Sequence, residues 1–284
     1  MPELPEVEIL ARHLAPLLAG RTIRAVDVRR ARVLAPTSVG ELERALLGAR
    51  FLSLTRRGKF LRFQLRPRGG RAPFGLLGHL GMTGRMFLQP ASRPLPKHAA
   101  VVLRLDRSTF VFEDPRQFGR LTLDLGALTR LGPEPLAKHF SPAYFAVALQ
   151  RSRQAIKVKL LDQALVAGVG NIYASEALFR AGVAPRRPAS RLPLPQVNAL
   201  HRAVRRVLAE AIACGSTLPL DFAGTGRRDG HFYYGRAEGT PDYYAERLMV
   251  YDRAGEPCRV CATPIRRCVQ AARSTFYCPR CQRG

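Results

Sequence analysis

Four cysteines near the end of the sequence restrict the fold more than any other feature. Cys258-x2-Cys261 and Cys278-x2-Cys281 are two pairs separated by sixteen residues. Each pair can bite one tetrahedral metal ion from a tight turn, and a β-hairpin joins the pairs. This is the spacing of a four-thiolate structural zinc site, so one structural Zn2+ is expected. Four thiolates close the coordination sphere and leave no position for a reactive water. Cys268, between the pairs, and Cys214, far upstream, are read as bystanders. Paired disulfides are the competing use of six cysteines, but they belong to oxidising compartments. MPELPEVEIL has no basic region of the kind that opens a signal peptide, and no apolar run reaches the ~18 residues of a membrane span. A cytoplasmic protein without a membrane partner is therefore expected.

The charge balance narrows the partner. Lys plus Arg number 46 against 21 Asp plus Glu, for a formal net charge of +25. Such a chain attracts polyanions, which favours nucleic acid over a small neutral substrate. Only five of the basic residues are Lys. The last 27 residues carry six Arg (259, 266, 267, 273, 280 and 283) and no acid, so the metal module doubles as a phosphate grip.

Hydrophobic periodicity divides the chain. Residues 5–15 read as a helix, with Pro5 at its first position and Val7, Leu10 and Leu14 on one face. From Arg21 to about Leu125 the runs FLSLTRRGKFLRFQL, AAVVLRL, TFVFED and GRLTLDL are β-like and point to a sandwich or barrel. A boundary is expected within LGPEPLAKHFSP. Beyond it the pattern is helical: a helix capped by Ser141 with Pro142 first, another over 156–166, a third capped by Asn171 and ending near Gly182, and a longer amphipathic one over 195–214. Residues 223–242 read as a long loop.

The N-terminus has a chemical reading. If Met1 is removed, the nitrogen of Pro2 is a free secondary amine, and α-amino groups titrate near about 7.7–8.0. A neutral secondary amine can attack C1′ of a sugar and form an iminium ion. Glu3 and Glu6 stand close in sequence to shuttle protons or stabilise the cation. The same residues are also ordinary chemistry for the start of a helix.

MPELPEVE, TRRGKFL, HLGMTGR, PKHAAVVL, DPRQFG, LLDQALVAGVGNIYASEALF and ARSTFYCPRCQ together resemble the bacterial formamidopyrimidine-DNA glycosylases, collinearly and over essentially the whole chain. The resemblance implies an α+β multidomain fold: an N-terminal β-sandwich with flanking helices, a helix-two-turn-helix domain and a C-terminal zinc hairpin. The corresponding domains are 1–135, 136–245 and 246–284. It implies base excision repair: removal of oxidised purines, 8-oxoguanine and formamidopyrimidines, from double-stranded DNA, then nicking of the abasic strand by β- and δ-elimination, by a monomer.

Residue by residue, Pro2 matches the Schiff-base nucleophile, Glu3 the proton donor and Glu6 a second essential carboxylate. Lys59 matches the lysine that acts in elimination, and Arg273 the zinc-hairpin arginine of δ-elimination. Met82, Arg116 and Phe118 match the residues that fill the gap left by an extruded nucleotide. Such a filler is needed because a base inside a duplex cannot be reached until it is flipped out. His98, Arg153, Lys157 and Asn171 match phosphate-contacting positions, Asn171 by placing a helix start toward an anion. Cys258, Cys261, Cys278 and Cys281 match the zinc ligands.

Two departures stand out. Gln117 replaces the second Arg of a DPRRFG form, removing a charge near the opposite strand. The segment 221–243 is longer than the family spacing by about a dozen residues. It is rich in Gly and carries Phe232, Tyr233 and Tyr234, so the loop 224–242 is expected to tune base preference. Other readings are an endonuclease VIII-like glycosylase for oxidised pyrimidines and a non-catalytic zinc-dependent DNA-binding protein.

Overall fold

The computed structural model describes residues 2–70, 72–214 and 247–283, so the long loop 224–242 lies outside the described residues. These residues divide into two compact units. One holds Pro2 and Glu6–Thr129; the other holds Glu3–Pro5 with residues 130–214 and 247–283.

The first unit is the expected β-sandwich. One antiparallel sheet has the order β1 (Ala25–Val28), β6 (Ala99–Arg104), β7 (Ser108–Glu113), β5 (Arg85–Pro90). The other has the order β2 (Arg50–Arg57), β3 (Phe60–Arg66), β4 (Phe74–His79), β8 (Arg120–Thr122). Strand alternation puts Leu61, Phe63 and Leu65 of β3 on the inner face, where they join Val101, Leu103, Phe110 and Phe112 of the facing sheet. Phe63 meets Phe110 edge to face with ring centroids 5.8 Å apart. Helix α1 (Leu4–Leu18) lays Val7, Leu10 and Leu14 into the same core, as its apolar spacing requires. It runs past the expected end and through Pro16, which is exposed.

Helix α2 (Val39–Leu46) interrupts the strand-rich stretch, where the sequence reading places only β-like runs. Its signal is local: Ser38 and Glu41 form a reciprocal capping box, with Ser38 Oγ accepting from Glu41 N and Glu41 Oε2 from Ser38 N at 2.8 Å.

The second unit is helical and ends in a hairpin. Helix α3 (Pro142–Gln150) starts as expected, with Ser141 Oγ accepting from Tyr144 N at 3.1 Å. Helix α4 spans only Ile156–Leu160, not 156–166. Beyond its C-cap, Leu161, side chains hold the backbone in a turn instead: Asp162 accepts from Ala164 N, while Gln163 donates to Leu161 O and Val169 O and accepts from Gly168 N. Helix α5 (Asn171–Arg180) is buried over nearly its whole length, and α6 (Leu194–Ala213) packs Val197, Leu200, Val204, Val207 and Leu208 beside it. The last element is the hairpin β9 (Arg266–Gln270) and β10 (Arg273–Tyr277).

The capping box gives a first test. Ser38→Ala should lower the stability of the sandwich unit by about 1 kcal/mol, the usual cost of losing an N-cap side chain. Urea unfolding followed by circular dichroism measures it, with an unchanged slope and a lower midpoint expected.

Candidate active site and zinc hairpin

In the sandwich unit the candidate residues gather at one end of the β2–β3–β4–β8 sheet. Strands β2 and β3 are joined by the two-residue turn Gly58-Lys59, and Gly58 supplies the positive φ of 58° that such a turn demands. Lys59 is thereby fixed at the tip, though largely buried. Phe60 pairs across with His79, their rings 4.8 Å apart. His79 Nδ1 accepts from Gly81 N at 3.1 Å. Burial, with Lys59 and Arg120 nearby, holds the imidazole down to about 4, so it is neutral near pH 7.

The loops carrying Met82 and Phe118 leave the same end. Asp114, buried, ties them together: it accepts from Thr83 Oγ1 at 2.7 Å, from Gly119 N at 2.7 Å and from Arg116 N at 3.2 Å. Its own N–H donates to the His98 carbonyl at 3.1 Å. The backbone of Gly81 lies so near that of Phe118 and Gly119 that a Cβ there would approach within 2.6 Å. On this rigid base Met82 and Phe118 are 46% and 45% exposed, unusual for large apolar groups. The Arg116 guanidinium sits 4.6 Å over the Phe118 ring. Gln117 occupies the turn with φ 54°. Two exposed apolar side chains and a cation are thus presented outward together.

In the second unit Glu3 is the centre. It is 1% exposed, and its Oε1 accepts from Ile172 N at 2.9 Å, with Oε2 facing Tyr173 N. These are orphan N–H groups at the start of α5, where the helix dipole favours an anion. The turn AGVG makes room for it. The carbonyl of Gly168, a residue at φ 88°, accepts from Leu4 N at 3.1 Å, and a Cβ on Gly168 would come within 2.6 Å of Leu4 Cβ. A Cβ on Gly170 would collide with the Glu3 carboxylate itself.

Gly170 is also the N-cap of α5; Asn171 is the first helical residue, not the cap. Its side chain is used elsewhere. Asn171 Oδ1 accepts from Lys157 Nζ at 2.7 Å, and Asn171 Nδ2 donates to Ser274 O at 2.9 Å in β10. Lys157 is fully buried and also reaches Thr275 Oγ1 at 3.4 Å. Burial pulls its ammonium down to about 8, against the attraction of Glu3 and Cys268. The N–H groups expected from the sequence to face an external anion at this helix start therefore hold Glu3, and Lys157 and Asn171 brace the hairpin. Arg153 is exposed.

That hairpin carries the metal site. The four sulfurs of Cys258, Cys261, Cys278 and Cys281 lie within 4.8 Å of one another, which suits one tetrahedral Zn2+. Neither Cys214 nor Cys268 joins them. Arg273, exposed, begins β10 just after the turn Ala271-Ala272, both residues at positive φ. Glu176 anchors the approach to the module: wholly buried in α5, it accepts from Met249 N, Val250 N and Tyr251 N at 2.9, 3.0 and 2.9 Å. Burial pushes its carboxyl up, and the three N–H donors oppose that.

Sequence reasoning does not single out His79, Asp114 or Glu176. Asp114 is readable in principle, since an Asp opening a Pro- and Gly-containing turn tends to bond the backbone that follows. Glu176 has no such signal, because its partners lie more than seventy positions away. Pro2 and Glu6 are both buried.

Two expectations follow. Gly170→Ala should displace Glu3 and abolish base excision, with a drop in melting temperature; normal excision with an unchanged melt would contradict the cradle. His79 is neutral in the fold and takes up its proton only near pH 4, whereas an unfolded chain does so near about 6.5. The unfolded state then binds more protons between these values, so stability contributed by His79 is present above pH 6.5 and lost as the pH falls toward 4. Thermal melts of wild type and His79→Gln across that window should diverge accordingly.

This arrangement can be set beside known proteins. Residues 1–121 match the formamidopyrimidine-DNA glycosylase N-terminal domain, 131–220 its H2TH domain, and 255–284 the zinc finger found in FPG and IleRS. The chain is 43% identical over 297 positions to the formamidopyrimidine-DNA glycosylase of Alkalilimnicola ehrlichii, covering 100% of both. The crystal structure of the Thermus thermophilus protein matches with a TM-score of 0.81 and 41% identity, over 99% of this chain and 98% of that one. A Lactococcus lactis mutant in complex with Fapy-dG-containing DNA matches with a TM-score of 0.86 and 30% identity, over 100% of each. With the four-cysteine hairpin expected to hold one structural zinc, the chain belongs to the formamidopyrimidine-DNA glycosylase family of DNA-repair enzymes.

Proposed function

We propose that this enzyme excises oxidised purines, 8-oxoguanine and formamidopyrimidines, from double-stranded DNA and then nicks the abasic strand. The observation that carries this reading is the anchoring of Glu3, one peptide bond from Pro2, on the start of α5. Once Met1 is removed, the Pro2 nitrogen attacks C1′ of the damaged nucleotide. The bond from C1′ to the base breaks, its electron pair leaves with the base, and the base takes up a proton. Proton transfer to the sugar ring oxygen opens the ring and leaves an iminium between Pro2 and C1′. Glu3, held in one orientation, delivers protons, and Glu6 supports the cation.

Loss of a C2′ proton then expels the 3′ phosphate, and a second elimination expels the 5′ phosphate. Lys59 serves these eliminations from its turn, with Arg273 at the hairpin tip binding phosphate for the second. Met82, Arg116 and Phe118 fill the space of the flipped nucleotide: two side chains prop the stack, and the guanidinium hydrogen-bonds the orphaned base. His98 and Arg153 take backbone phosphates. Lys157 and Asn171 act on the DNA through the hairpin they brace. The functional division is 1–135, 136–245 and 246–284, and the place of work is the cytoplasm, on the nucleoid.

Borohydride trapping tests the reading. Duplex DNA carrying 8-oxoguanine should give a covalent adduct, mapped to Pro2 by peptide mass, and a thymine glycol duplex should give far less. Preferential trapping on thymine glycol would move the enzyme to oxidised pyrimidines. No adduct on either, or full activity with Met1 retained, would contradict the Schiff-base mechanism.

A further inference from the structure

The outward face of β2 and β3 has a charge pattern that nothing in the fold accounts for. Arg50 stands directly opposite Arg66, Ser53 opposite Gln64, and Thr55 opposite Arg62. Arg50, Ser53, Thr55, Arg62 and Arg66 are exposed, while the alternate residues Phe51, Leu54, Leu61, Phe63 and Leu65 fill the core. Like charges facing each other across an antiparallel pair are destabilising.

Three exposed arginines of this unit have carboxylates, Arg12 with Glu8, Arg24 with Asp106 and Arg29 with Asp27; what sets the β2–β3 face apart is that its arginines stand in cross-strand register. Among the described residues, no carboxylate lies within 4.0 Å of Arg50, Arg62 or Arg66. The cause is in the chain itself. Residues 44–105 contain 11 Arg and 2 Lys and no Asp or Glu. Arg50 gives only its Nε, to Gly20 O at 3.0 Å.

Arginines interleaved with Ser, Thr and Gln are the donor set that grips a phosphodiester backbone without reading bases. The location matters as well. Lys59, Met82 and Phe118 cap the end of the sheet where Phe60 pairs with His79. Arg66 lies six residues farther along β3, about 20 Å away at ~3.3 Å per residue, on a face that looks sideways from the strands. The face is thus offset along the strands from the end that carries Lys59, Met82 and Phe118.

We propose that the outward face of β2–β3 binds the phosphate backbone of a second DNA segment, so that the protein holds two duplexes briefly and passes from one to the other. This rests on the reading that the capped end engages duplex DNA. The experiment follows release of a fluorescent undamaged duplex from wild-type protein as unlabelled undamaged duplex is added. Release should accelerate in proportion to competitor, because the second segment is captured before the first departs. Arg62→Glu/Arg66→Glu should lose this dependence, while single-turnover nicking of a short abasic duplex stays unchanged; Arg62→Gln/Arg66→Gln should fall between. Wild-type release independent of competitor would overturn the proposal, as would a charge-reversed variant that keeps the dependence. Loss of nicking in the same variant would overturn it too, assigning the face to the primary site. Failure of borohydride trapping, by contrast, would strike the catalytic reading alone.

Discussion

A carboxylate at a helix start organises the catalytic reading. Glu3 replaces water on the first free N–H groups of α5, and it does so while 1% exposed. A buried anion needs such donors, since an unpaired one would be strongly unfavourable. The interaction also dictates nearby sequence. Gly170 has no side chain because the carboxylate occupies that space, and Gly168 takes a positive φ with Leu4 pressed against it. Because Cα atoms joined by a trans peptide are about 3.8 Å apart, fixing Glu3 also limits where the nitrogen of Pro2 can reach.

From α5 the same ordering extends to the metal module. Asn171, freed from capping, bridges Lys157 to the Ser274 carbonyl, and Glu176 gathers three consecutive N–H groups of residues 249–251. Zinc fixes the base of the hairpin and these bonds fix its flank, so Arg273 stands on a braced support. The sandwich unit uses an analogous device: Asp114 holds two loops so that Met82 and Phe118 stay exposed without collapsing onto each other's backbone. In both units an acidic side chain in contact with backbone N–H groups fixes the segments that carry the candidate residues.

Much of this is legible in the chain. The cysteine spacing identifies the hairpin, and period-two alternation around Phe63 and Phe110 identifies the sandwich. Ser141-Pro142 marks a helix start that the structure reproduces. The mismatches have physical causes. Helix α2 is hidden among strands although its capping box is present, because a short helix contributes only two turns of periodic signal. Helix α4 reads too long because apolar spacing continues through Leu165 and Val166, while Asp162 and Gln163 capture the backbone. Asn171 reads as a cap because asparagine favours that position. Only the tertiary partners Lys157 and Ser274, 14 and 103 positions away, reveal its other use.

The central claim is that Glu3, seated on α5, serves base removal as a proton-handling group and not merely as a structural plug. Glu3→Gln separates these roles, because the amide keeps an acceptor for Ile172 N–H but cannot exchange a proton. Single-turnover rates should be measured on an 8-oxoguanine duplex and on a duplex with a preformed abasic site. Excision should fall on the order of a hundredfold or more, as expected for loss of a general acid, while nicking of the abasic site persists. Equal loss of both activities, or excision at the wild-type rate, would contradict the account.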